Sequence, residues 1–208
     1  MPTAPTVFRP ARIATAGSCV LLAALMLSLP ATVYAEAGDF RFRIGSSVIR
    51  PDGDNGLGLD IDDGYGLTFN GAYFVTNNFA VELLAAAPYL HDIQAEGGGT
   101  IGEVKHLPPT LSAQWYFTPD SAFSPYVGLG VNYTLFWDEE LGGADVNIEN
   151  SLGWAAQVGA DFALTENTFV NVDVRFINIE ADAKVNGTVA GELTVDPVVF
   201  GLHFGYQL

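Results

Sequence analysis

The sequence predicts an all-β protein: an eight-stranded antiparallel barrel that crosses a membrane. Three observations carry that prediction: eight segments with a period of two, a long–short rhythm in the connections between them, and two strand faces of opposite character. Successive side chains of a strand point to opposite faces, so a period of two marks a strand with different surroundings on its two sides.

The elements follow in order. FRFRI (40–44) sets Phe40, Phe42 and Ile44 against Arg41 and Arg43. GLTFNGAYFV (66–75) sets Leu67, Phe69, Tyr73 and Val75 against Thr68 and Asn70, and FAVELLAAA (79–87) sets Phe79, Val81 and Leu83 against Glu82. In TLSAQWYF (110–117), Leu111, Ala113, Trp115 and Phe117 oppose Ser112 and Gln114; in YVGLGVNYTLF (126–136), Val127, Leu129, Val131, Tyr133 and Leu135 oppose glycines, Asn132 and Thr134. SLGWAAQVGADFAL (151–164) sets Leu152, Trp154, Val158 and Phe162 against Gln157 and Asp161. FVNVDVRF (169–176) sets four apolar residues against Asn171, Asp173 and Arg175, and VFGLHFGYQL (199–208) alternates to its last residue, with His203 and Gln207 on the polar side. Helical spacing fits none of these as well.

The connections are 51–65, 76–78, 88–109, 118–125, 137–150, 165–168 and 177–198, alternately long and tight. Outer-membrane barrels have this rhythm, with short periplasmic turns and longer extracellular loops, and an even strand number returns the chain to the side it came from.

The start of the chain reads as a secretory leader. Arg9 and Arg12 precede the apolar run CVLLAALMLSL (19–29), Pro30 ends it, and Val33-Tyr34-Ala35 places small residues at the usual cleavage positions. The expected division is therefore a signal peptide over 1–35 and a barrel over 36–208. That barrel would contain no cysteine, since the single one is Cys19. No run is long enough for a spanning helix, which leaves a closed barrel as the way into a bilayer. Lys+Arg number 8 against Asp+Glu 24, a net charge of −16, which argues against a nucleic-acid partner.

The two faces fix what lies inside. The aromatic-bearing face suits lipid and its interfaces. The other face reads Arg41, Arg43, Asn70, Glu82, Gln114, Asn132, Gln157, Asp161, Asp173, Arg175, His203 and Gln207. Eight strands leave an interior just wide enough for side chains, so these residues predict a hydrogen-bonded polar plug rather than an open pore. A soluble barrel of lipocalin type would want the reverse arrangement.

VELLAAAP (81–88), HLPPTLSAQWYF (106–117), PYVGLGVNYT (125–134), GWAAQVGADF (153–162) and VDP-VF (195–200) resemble the OmpW family of small outer-membrane proteins, in order and across the whole chain after the leader. The resemblance implies an eight-stranded barrel that passes small, mostly hydrophobic molecules across the outer membrane, with alkane-uptake proteins among the relatives. It also implies a C-terminal aromatic read by the barrel-assembly machinery, where this chain has Leu208 after Tyr206. An apolar lumen gate is implied too. Leu84 fits it, but the partner expected on the seventh segment is Arg175 here.

A hydrophobic solute needs no aqueous channel. An apolar funnel above the membrane, opening sideways through the wall, suffices. Candidate funnel residues are Leu57, Leu59, Ile61, Tyr89, Leu90, Ile93, Leu107, Phe136 and Trp137, with Leu84 below them. Proline lacks the N–H that a ladder needs. Pro108 and Pro109, with Pro88 opposite, are therefore expected to open the wall between the third and fourth strands; the simpler alternative is that they only end strands. The expected partners are outer-membrane lipid, lipopolysaccharide and small hydrophobic solutes.

Competing functions find less support. PDGDNGLGLDIDDG (51–64) lacks the residue order and closing Glu of a calcium loop. His91, His106 and His203 show no metal spacing, GLGVNY (128–133) has no βαβ unit around it, and no cofactor is expected. Ser112 with His203 is the one loose nucleophile–base pair, so no catalytic site is expected. The alternative to transport is a structural or receptor barrel, serving adhesion, a bacteriocin or a phage.

Overall fold

The computed structural model describes residues 35–51, 60–61, 63–87, 89–94, 100–141, 144–185 and 187–208; of these, the side chains of 60–61, 89–94, 100–104, 138–141, 144–146 and 190 lie outside the description. The described residues form fourteen strands.

Eight strands make the barrel: β1 (Phe40–Arg50), β3 (Gly64–Phe74), β4 (Phe79–Ala86), β7 (Thr110–Tyr116), β8 (Phe123–Leu141), β10 (Ser151–Ala163), β11 (Thr168–Ile177) and β14 (Val198–Gln207). Each pairs antiparallel with the next, and β14 closes the ring on β1 from Arg41↔Gln207 to Arg50↔Val198. Closure leaves no unpaired ladder at lipid depth, which a bilayer demands. These are the eight segments read from periodicity.

The remaining six strands lie in the long connections: β2 (Asp60–Ile61), β5 (Tyr89–Gln94), β6 (Thr100–Leu107), β9 (Ala144–Ile148), β12 (Glu180–Val185) and β13 (Thr188–Thr194). Much of what reads as long loops is thus strand, continuing the barrel wall beyond its far end. The 19 residues of β8 span roughly 60 Å, about twice a hydrocarbon core, so its far half projects beyond the membrane. The tight turns at 75–78 and 164–167 lie at the barrel end where Phe40 and Leu208 exchange backbone hydrogen bonds.

Burial follows the period of two. Outward residues such as Phe42, Leu83, Leu111, Trp115, Leu129, Leu152, Leu202 and Phe204 are exposed, whereas Arg41, Arg43, Glu82, Gln114, Asn132 and Asn171 are fully buried. An apolar surface outside and a charged interior is the inverse of a soluble fold. Inward glycines make room for the filling: a Cβ at Gly159 would stand 2.5 Å from the Tyr126 hydroxyl, and one at Gly205 would stand 2.2 Å from the Phe169 ring.

Candidate functional site: a plugged lumen, an apolar mouth and a gap in the wall

At the turn end the lumen has an aromatic floor. Phe74, Tyr116, Tyr126 and Phe169 point inward and are fully buried. The Arg41 guanidinium lies over Phe74 at 4.8 Å, Phe169 at 5.3 Å and Tyr116 at 5.4 Å; that of Arg43 lies over Tyr126 at 5.5 Å. Desolvated rings in such positions stabilise the cations above them.

Above the floor, Glu82 on β4 is the hub of a polar plug. Its Oε2 accepts from Arg43 Nη1 and Gln114 Nε2, both at 2.8 Å, and its Oε1 accepts from Arg175 Nη1 at 2.7 Å and Gln157 Nε2 at 3.4 Å. Asp161 Oδ2 accepts from Arg41 Nη1 at 2.7 Å and Arg43 Nη2 at 3.1 Å. Arg43 also donates to the Tyr116 hydroxyl. Arg175 Nε donates to Asp173 Oδ1 at 2.8 Å, and Asp173 Oδ2 lies 3.3 Å from His203 Nδ1. Three arginines and three carboxylates are therefore buried together, and their charges cancel. Charges this deep persist only when paired and hydrogen-bonded.

Of the twelve inward residues expected in the plug, nine meet here, and Gln207 joins them by accepting from Arg41 Nε at 2.9 Å. Asn132 donates to Thr110 instead, and the Asn70 amide has no hydrogen-bond partner among the described residues. His203 engages Thr68 Oγ1 through Nε2 at 2.7 Å, not Ser112, so the loose Ser–His pair is not formed. Arg175, where an apolar gate partner was implied, turns to Glu82 and Asp173; Leu84 is 5% exposed one inward position above Glu82. Among the described residues, no three His, Cys, Asp or Glu side chains converge to hold a metal ion.

Beyond the plug the lumen turns apolar. Ile49, Ile148, Ala155, Ile177, Ile179, Ala181, Leu193, Val195 and Val199 pack into one buried cluster, against which Ala86 and Phe136 also lie. Of the expected funnel residues, Phe136 joins this mouth, whereas Leu107 and Trp137 do not. Leu107 pairs with Leu135, and Trp137 lies two residues further along β8, which puts both on the outward face of the wall by the strand's alternation, half-buried there. Leu57 and Leu59 lie outside the described residues; the backbones of Ile61, Tyr89, Leu90 and Ile93 are in strands, with side chains outside the description. The aliphatic residues of 177–199 were not expected here. Their signal was available, because Ile177, Ile179 and Ala181 continue the alternation of β11.

Among the described residues the wall's pairing breaks in more than one place. β8 leaves β10 at Ser151↔Thr134 and meets β9 only at Glu140↔Asp145, and a second break, the one that carries prolines, lies between β4 and β7. The β4–β7 ladder ends at Leu84↔Thr110, and pairing resumes only at Tyr89↔His106 between β5 and β6. The segments flanking the gap are held from their outer sides instead. Ala87 N donates to Leu67 O at 2.8 Å, Tyr133 N donates to Pro109 O at 3.0 Å, and Leu107 pairs with Leu135. Pro108 and Pro109 sit in the gap; Pro88 lies outside the described residues. Leu83 and Leu111, 55% and 49% exposed, face outward just below it, so the gap opens above a lipid-facing surface.

A model of the OmpW family matches residues 36–208. Outer membrane protein W of Escherichia coli is 38% identical over 189 residues, covering 83% of this chain and 89% of the relative. The crystal structure of OprG from Pseudomonas aeruginosa superposes with a TM-score of 0.74 at 33% identity, covering 84% of this chain and 98% of that one. AlkL, known from Ectopseudomonas oleovorans, has a structure in lipid bilayers that matches with a TM-score of 0.64 at 30% identity, covering 84% and 92%. With its barrel, its plug and a family match along nearly all of its described length, this chain belongs to the OmpW family and resides in the bacterial outer membrane.

Proposed function

We propose that the barrel passes small hydrophobic molecules inward, receiving them in the apolar mouth and releasing them sideways through the β4–β7 gap into the bilayer. The observation that carries this reading is the juxtaposition of three parts: an apolar mouth, a charge-neutral plug that blocks the axial route, and an unpaired seam beside the boundary between them. An apolar solute gains nothing by crossing buried ion pairs, whereas the sideways step keeps it among apolar atoms. The mouth carries it past the polar lipopolysaccharide layer, which ordinary hydrocarbon enters poorly. No step requires catalysis, and no residue is assigned a catalytic role. Removal of a signal peptide after Ala35, and assembly through the β14 strand by the barrel-assembly machinery, complete this reading.

Phe136 offers a direct test, because it packs against the mouth yet is only half-buried. Phe136→Asp places a charge on the solute's path and is expected to lower alkane uptake by at least roughly tenfold. The thermal midpoint of the barrel, set by the plug and ladders, should change little. Uptake equal to wild type would mean that solutes do not use the mouth.

A further inference from the structure

We infer that Asn70 docks the polar head of an amphiphilic solute, so that the barrel favours hydrocarbon chains ending in a hydroxyl or carbonyl over bare hydrocarbon. This rests on the conduit reading above and names the solute class within it. Asn70 lies on the inner face of β3 and is 1% exposed, yet neither its Nδ2 nor its Oδ1 has a hydrogen-bond partner among the described residues. Buried amides are almost always satisfied by protein, water or ligand, because an unpaired one is costly.

Its position gives that amide a use. Asn70 is the register partner of Leu84, and Leu84↔Thr110 is the last rung of the ladder beneath the wall gap. Asn70 therefore stands one strand from the sill of the proposed exit. Most polar groups around it are already engaged; the exception is the Nε of Arg43, the register partner of Asn70 on β1, which has no hydrogen-bond partner among the described residues. Thr68, one inward position towards the mouth, is held by Ser47 and His203, and Glu82 below is occupied by two arginines and two glutamines. Ala86, one inward position above Leu84, already packs on the apolar mouth. On the opposite wall, Gln157 Oε1 is a second buried acceptor without a partner among the described residues.

An amide presents both a donor and an acceptor, which matches a hydroxyl and can serve a carbonyl. It is uncharged and adjoins a plug whose charges already cancel, so a neutral head group fits and an ionised one would be left uncompensated. The chain would lie among Ile49, Ile177 and Val199 with its head on Asn70. Its next movement is past Leu84 into the gap.

The test compares 1-octanol with n-octane in outer-membrane vesicles carrying wild type, Asn70→Leu or Asn70→Ser, and vesicles without the protein. Asn70→Leu is expected to lower octanol uptake relative to octane by roughly three- to tenfold, the value of about one net hydrogen bond. Asn70→Ser should retain most of the discrimination. Thermal melting checks the fold, and Asn70→Leu should melt no lower than wild type because it removes an unpaired buried amide. An unchanged octanol-to-octane ratio in Asn70→Leu, with wild type still speeding octane, overturns the inference alone and leaves Asn70 a site for lumen water. If wild type speeds neither solute, the conduit reading falls and the inference falls with it.

Discussion

Glu82→Ala is expected to destabilise the barrel by about 3–5 kcal/mol, the cost of leaving buried charge without its partner. Glu82 carries contacts from Arg43, Arg175, Gln114 and Gln157, which reach it from β1, β11, β7 and β10. Without it, three arginines face two carboxylates in the lumen, and the remaining acids cannot reach Arg43 Nη1 and Arg175 Nη1 in their present positions. Glu82→Gln keeps an acceptor oxygen but not the charge, and should fall between alanine and wild type. Urea-driven unfolding in phospholipid vesicles measures all three. A loss below about 1 kcal/mol for alanine, the range of an exposed ion pair, would show that lumen water replaces the carboxylate and that the plug is not held by its hub.

The second large effect lies in the wall. Replacing both Pro108 and Pro109 with alanine restores two backbone N–H groups. The one at 108 faces Ala86 on β4, where no β4–β7 pairing exists, while the one at 109 lies on the side of the Pro109 carbonyl, which accepts from Tyr133 N on β8. The ladder should then extend beyond Leu84↔Thr110 towards Tyr89↔His106 and close the seam. Alkane uptake is expected to fall several-fold, the one hydrogen bond that residue 108 can then donate across the seam, roughly 1 kcal/mol, having to be broken for each exit. Thermal stability should hold or rise slightly. Hydrogen exchange at residues 85–87 and 107–110 reports the seam directly, and slower exchange there should accompany the loss of uptake. Pro197→Ala is the control, because Pro197 lies away from this gap and its carbonyl already accepts from Ile177 N. Unchanged uptake in the double variant would reduce these prolines to strand terminators.

The strands and their inner faces were legible because a period of two assigns every residue a side. Glu82, Gln114 and Arg175 are inward by alternation alone. Their partnerships were not legible. Arg41 meets Asp161 across 120 residues of sequence and Arg175 meets Glu82 across 93. Such pairs depend on the stagger of strands around the barrel, which no local pattern records. The apolar mouth was hidden for another reason. The stretch from Ile177 to Val195 reads as a long connection because Asn178, Asn186, Gly187 and Gly191 interrupt it. Its aliphatic residues become buried only when β12 folds back on β13 and onto β9. Asn70 is inward by the same alternation as Glu82, but only the arrangement of its neighbours shows that its amide is unpaired.

The measurement that bears most directly on the central claim pairs two readouts on one preparation: alkane uptake by outer-membrane vesicles with and without this protein, and the ion conductance of the same protein in a planar bilayer. A neutral plug beside an open seam predicts faster alkane uptake with conductance far below that of an open porin. Uptake no faster than in vesicles lacking the protein would contradict the conduit and leave a structural or receptor barrel. Faster uptake with large conductance would contradict the plug and point to an axial route.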